Sequence, residues 1–121
     1  MYMRIILVIL TSYVAACSSL DSIDTNTPEG LYELATSYEK DERYEESLAH
    51  FNELRNKHPY SKLAVTAELH LADIHFKREN YVEAESAYKL FKEFHPKHPQ
   101  IAFVTFRIAI SLYKQLPASI D

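Results

Sequence analysis

Six histidines, one cysteine and several paired carboxylates are the side chains of this sequence that could do chemistry. His70 and His75 stand five residues apart, about 500° of helical rotation, so they do not share a face as an i, i+4 ligand pair would. His95 and His98 flank prolines, and His50 and His58 fall in no ligand pattern, so neither a metal nor another cofactor is expected. A single cysteine, Cys17, excludes an intrachain disulfide and a multi-cysteine metal site. No serine sits on a strand-to-helix turn beside a positioned base. Asp41-Glu42 and Glu45-Glu46 are charges that favour a helix start and solvate a surface, not an acid/base pair. The residues point away from an enzyme and toward a binding surface.

The surface must be carried by little chain. At 121 residues there is room for one small domain or part of a larger one. Hydrophobic residues make up 47% and charged residues 25%, a globular balance, and the single glycine disfavours a turn-rich β fold. Formal net charge is −4, and because only Arg4 is charged before Cys17, a chain cut there carries 12 basic and 17 acidic side chains. That sign disfavours nucleic acid, whose binding rests on Lys and Arg neutralising phosphates.

Residues 1–16 read as a secretory signal: Arg4 near the start, an apolar core from Ile5 to Leu10, and small residues at Val14-Ala15-Ala16. The uncharged run from Ile5 to Ala16 reaches about 18 Å as a helix, against roughly 30 Å of hydrocarbon, too short to span. Val14-Ala15-Ala16-Cys17 resembles the lipobox of bacterial lipoproteins. That resemblance implies cleavage before Cys17, a diacylglycerol on its sulfur and an acyl group on its new amine. Several acyl chains, at about 0.8 kcal/mol per buried CH₂, make such an anchor stable. Ser18, by the same resemblance, is compatible with sorting to the outer membrane. Residues 17–27 form the lipidated cysteine and a polar tether.

From Pro28 onward the sequence superposes on itself when shifted by 37 positions: Leu34-Ala35 on Leu71-Ala72, Tyr44 on Tyr81, Phe51 on Tyr88, Leu54 on Phe91 and His58-Pro59 on His95-Pro96. Ile108-Ala109 starts a third copy. Fixed self-similarity at this length indicates a stacked array of supersecondary units. Leu31, Leu34, Ala35 and Tyr38 repeat at helical spacing, as do Tyr44, Leu48, Phe51 and Leu54. The sequence predicts helices over 29–41, 44–57, 61–79, 81–94 and 99–115, with Pro59 and Pro96 ending the second helix of each unit and Asn80 taking a left-handed exit. The repeats are 28–61 and 62–98, with the first helix of an incomplete third at 99–121.

Leu31, Leu34, Ala35, Tyr38, Ser47, Phe51, Leu54 and Pro59, and in the second unit Leu71, Ala72, Ala84, Tyr88, Phe91 and Pro96, resemble the tetratricopeptide pattern. Alanine replaces its glycine, Ser47 its first alanine, and Glu68 and His75 stand where apolar residues are usual. The resemblance implies an all-α solenoid of helical hairpins, about two and a half repeats long. The lipobox, the tether, the 37-residue spacing and the linkers His58-Pro59-Tyr60-Ser61 and His95-Pro96-Lys97-His98-Pro99 together resemble the BamD family of outer membrane assembly lipoproteins. That resemblance implies a lipid-anchored periplasmic scaffold, partnered by β-barrel assembly subunits and unfolded barrel proteins. Family members carry further repeats, which dock on the barrel-bearing subunit, and that contact is not expected within these residues. Another tetratricopeptide lipoprotein, such as a pilus or secretin assembly factor, is the alternative.

Tetratricopeptide arrays bind extended segments on the face of their first helices. Transferring its lining positions gives a candidate groove of Tyr32, Leu69, Asp73, Phe76, Lys77, Phe103, Phe106 and Tyr113, an aromatic strip with lysine at its edge. The competing reading is core: Ile101 to Tyr113 is apolar on every side, as in a helix covered by both neighbours, and with no following helix expected in these residues part of the strip is core left bare.

Overall fold

The computed structural model describes residues 23–117. The signal segment, Cys17 and most of the tether lie outside the described residues, as do residues 118–121. Five helices follow in order: α1 Pro28–Lys40, α2 Tyr44–Lys57, α3 Lys62–Lys77, α4 Tyr81–Phe94 and α5 Ile101–Lys114. No strand occurs among the described residues. Each helix packs on the next, and α1 also touches α3, so the described residues form a tetratricopeptide-like stack of adjacent helical pairs.

Local chemistry sets the boundaries. Thr27 caps α1 by accepting the Gly30 N–H at 3.1 Å, and Pro28 takes the first turn, where its missing N–H costs nothing. The end of the tether is itself folded: Asp24 accepts from the Thr27 N–H and hydroxyl through its carbonyl, and from the Asn26 N–H through its carboxylate. Its carbonyl passes so close to Gly30 that a Cβ there would stand 2.0 Å away, which accounts for the one glycine of the chain.

Both hairpin turns close in the same way. After α1, the Glu42 N–H bonds the Glu39 carbonyl and the Arg43 N–H the Tyr38 carbonyl; after α3, Glu79 bonds Phe76 and Asn80 bonds His75. This pairing is the Schellman motif, and its left-handed residues are Glu42 at φ 58° and Glu79 at φ 62°. Asn80 therefore does not take the left-handed position expected of it: φ is −80°. Helix α3 stops at Lys77 rather than Glu79, and the motif puts its left-handed residue two positions after the last helical one. At the other end of the hairpins, α2 and α4 stop immediately before His58-Pro59 and His95-Pro96.

The core lies in two clusters. Leu31, Ala35, Phe51, Leu54, Ala67, Leu71 and Ile74 join the first hairpin to α3. Leu69, Ala72, Ala84, Tyr88, Phe91 and Val104 join α3, α4 and α5. Helix α3 supplies both, so it is apolar over most of its circumference. Fully burying a side chain such as Phe51 contributes about 1.5–3 kcal/mol. Ser47, which departs from the repeat pattern, is buried and donates its hydroxyl to the Ala35 carbonyl at 2.8 Å, satisfying it where the helices are closest. Glu68, another departure, meets Nε2 of His95 at 2.8 Å.

Helix α5 buries Val104 and Ser111 but leaves Phe106, Leu112 and Tyr113 exposed. Among the described residues α5 packs on α4, and its other side is bare, as the core reading of this strip also expects. No helix of the described residues is long and apolar enough to cross a membrane.

Candidate functional site

The first helices α1, α3 and α5 form one face, and the residues placed on it by the repeat pattern divide into three groups. The first is polar and spans α1 and α3. Glu39 on α1 receives Nδ1 of His70 at 2.7 Å and Nζ of Lys77 at 2.6 Å. A carboxylate only accepts, so Nδ1 carries the hydrogen and, in the neutral ring, Nε2 accepts the Tyr32 hydroxyl at 3.1 Å. His70 also stacks on Phe51, ring centroids 4.8 Å apart, which ties this network to the first core cluster. A shallow cleft of about 240 Å³ opens here, lined by Thr36, Glu39, Lys40, His70 and Lys77.

Burial alone would raise the Glu39 pKa, but the hydrogen bonds and charges of His70 and Lys77 outweigh it and hold the carboxyl below its ordinary range. Lys77 moves the other way: its bond to Glu39 raises its pKa against the effect of burial. The Tyr32 hydroxyl is pushed up, by burial first and then by the Glu39 charge.

The second group is centred on α3. Asp73 accepts a hydrogen bond from the Tyr88 hydroxyl of α4. Its pKa is raised because desolvation exceeds the opposing effects of Tyr88, Arg107, His70 and Lys77. The Tyr88 hydroxyl is pushed far up by burial and by the same carboxylate, and stays neutral. Phe76 is half-buried against Tyr81 and Tyr88, and the Arg107 guanidinium lies over its ring at 4.1 Å and over Phe103 at 5.0 Å. Arg107 thus bridges α3 and α5 across the face.

The third group is the exposed aromatic surface of α5: Phe103 at its margin, Phe106 at 60% exposure and Tyr113 at 72%. These are the groove candidates that remain free to meet a partner. Leu69 is not one of them. At 6% exposure it belongs to the second core cluster, because α3 turns that side toward α4 and α5. The expected aromatic strip is therefore interrupted on α3, where ion pairs and a capped ring replace it.

Glu39, with Glu29, Thr36 and Lys40, falls on the lining positions that the repeat pattern gives to the first unit, whereas His70 and Arg107 do not. His70, Asp73 and Lys77 stand at i, i+3 and i+7, so a shared stripe of α3 was legible; that Glu39 pairs with two of them was not. Among the described residues no three His, Cys, Asp or Glu side chains gather as a metal site would require. Set against known families, residues 24–120 match the one described as YfiO, outer membrane lipoprotein.

Proposed function

The chain belongs to the YfiO family of outer membrane lipoproteins, and from that premise we propose that it is a non-enzymatic scaffold of the machinery that assembles β-barrel proteins in the outer membrane. Lipid on Cys17 holds it at the inner leaflet, the helical stack faces the periplasm, and the first-helix face receives partner subunits or extended segments of unfolded barrel proteins. The observation that carries this reading is the exposed aromatic surface of α5, Phe103, Phe106 and Tyr113, with the Arg107 guanidinium beside Phe103. Covering one such ring, at about 25 cal/mol per Å², contributes roughly 3 kcal/mol before the cost of ordering the segment. That guanidinium suits a segment that ends in a carboxylate next to an aromatic residue.

The test is binding of a labelled peptide copied from the C-terminus of a barrel protein, followed by anisotropy. Phe106→Asp combined with Tyr113→Asp weakens it tenfold or more with helicity unchanged by circular dichroism; unaltered affinity refutes the groove. Cys17→Ala abolishes lipid labelling of the exported protein, and lipid labelling that persists removes the anchor assignment.

A further inference from the structure

Consecutive helices run antiparallel, so the start of α1, the end of α2, the start of α3, the end of α4 and the start of α5 share one edge of the stack. Side-chain contacts mark both edges. Arg78 after α3 reaches Glu45 at the start of α2, and Gln115 after α5 reaches Glu85 on the first turns of α4, defining the edge of the hairpin turns. On the other edge Arg55 of α2 and Phe94 of α4 line one cleft of about 160 Å³ together with Glu68, Leu71, Ala87, Leu90 and Phe91.

The two edges differ in charge. Around the loops 55–62 and 92–100 stand Arg55, Lys57, Lys62, Lys92 and Lys97 against Glu93, with Lys57 paired to Glu53 of α2 and Glu68 lining the cleft beside Arg55; Asp24 and Glu29 at the start of α1 add two acids to that edge. The hairpin-turn edge, 40–46 and 77–83, has Lys40, Arg43, Lys77 and Arg78 against Asp41, Glu42, Glu45, Glu46, Glu79 and Glu83. Cations without an ion-pair partner among the described residues are thus concentrated on the first of these edges, since Arg43, Lys77 and Arg78 on the other are all paired. Arg55, Lys62, Lys92 and Lys97 make no ion pair among the described residues. Between these cations three large apolar side chains face water: Tyr60, fully exposed at the tip of its loop, Phe94 at 69% and Leu90.

Chain geometry says what lies opposite. The tether joins the stack at Asp24, at the start of α1 and therefore on the basic edge. From Cys17 to Asp24 there are seven residue steps, no more than about 25 Å when extended. A lipid on Cys17 therefore attaches the stack to the bilayer at this edge, with the acidic edge about one helix length, roughly 20 Å, farther from the attachment point. We propose that the basic, aromatic edge formed by Tyr60, Lys62, Leu90, Phe94 and Lys97 docks on the anionic phospholipid headgroups of the membrane that carries the anchor. The lysines meet phosphates and the aromatic rings settle at the headgroup level, where amphipathic rings are favoured. The inference rests on the anchored reading above and gives it an orientation: the edge lies on the membrane and the first-helix face stands upright beside it, open to the periplasm.

The test uses the full lipidated protein reconstituted in phosphatidylethanolamine vesicles with or without phosphatidylglycerol, carrying a fluorophore at Tyr60→Cys or, as the control, at Asp41→Cys. Quenching by brominated lipid is expected at position 60 in the anionic vesicles and absent at position 41. Lys62→Glu with Lys97→Glu, both exposed, lowers the quenching, and the affinity of the edge falls about fivefold for each cation lost. A chain that stays on the vesicles while position 60 is quenched no more than position 41 overturns the docking and leaves the anchor standing. A chain that leaves the vesicles overturns both. Shielding of position 60 only on addition of a second copy or of an unfolded barrel protein assigns the edge to a protein partner and overturns the proposal.

Discussion

Glu39→Gln tests whether the polar network joining the first two repeats is structural. The carboxylate side chain keeps 9% of its exposure, while Lys77 remains half exposed and His70 about a quarter. A hydrogen bond to a charged group contributes about 1.5–3 kcal/mol when sheltered, and an ion pair with an exposed lysine only about 0.2–1 kcal/mol. The amide retains one acceptor for His70, so the net loss is about 2 kcal/mol, on the order of 10 °C in melting temperature for a domain of this size. The pH dependence has a definite sign. The Glu39 pKa is held below its ordinary value of 4.5, so its contribution is complete above that value and is lost as pH falls through the lower folded value. Thermal melts followed by circular dichroism from pH 7 to pH 3 should show the wild type losing stability in acid more steeply than the variant, with the two curves converging. A variant that melts within 2 °C of wild type at pH 7, or that keeps the wild-type acid slope, refutes the reasoning.

Other substitutions separate core from surface. Tyr88→Phe leaves the sheltered Asp73 carboxylate without its donor and costs about 1–3 kcal/mol, whereas Asp73→Asn keeps an acceptor for the Tyr88 hydroxyl and removes a charge that burial disfavours; urea titration at pH 7 should show the second variant no less stable than wild type. The Asp73 pKa is raised, so the wild type should regain that difference as pH falls below the folded value. Leu69→Asp places a charge in the second core cluster and should abolish cooperative melting, at a cost of about 4 kcal/mol, while Phe106→Asp leaves the melt within about 0.5 kcal/mol of wild type; reversed effects would exchange their assignments. Glu79→Gly relieves a left-handed backbone and should stabilise by about 0.5–1 kcal/mol in denaturant melts; a loss of stability would show that the Glu79 side chain outweighs the relief.

Much of the architecture was readable because its causes are local. Apolar spacing, His58-Pro59 and His95-Pro96, and the 37-residue period place all five helices within two residues of their observed ends. The left-handed exit was misplaced by one residue because it depends on where α3 stops, and Lys77, Arg78 and Glu79 differ too little in propensity to mark that point. Leu69 was ambiguous for another reason. Helix α3 packs against both of its neighbours, so helical periodicity cannot tell its buried side from a lining side. The Glu39–His70–Tyr32 network and the Arg107 bridge depend on distances between helices, which spacing along one helix does not encode. The tether illustrates the same limit: its composition is that of a polar linker, yet Asp24 to Thr27 fold into a cap because Gly30 leaves room for the Asp24 carbonyl.

Because α3 lends one flank to each of the two apolar clusters, neither repeat has a hydrophobic interior of its own. Loosening α3 from one hairpin strips cover from the other, so the units are bound to open as a pair. Amide protons of α1, α2, α3 and α4 should accordingly exchange in a single cooperative event. Load applied at either end is then met by the whole stack, which yields as one body instead of unit by unit.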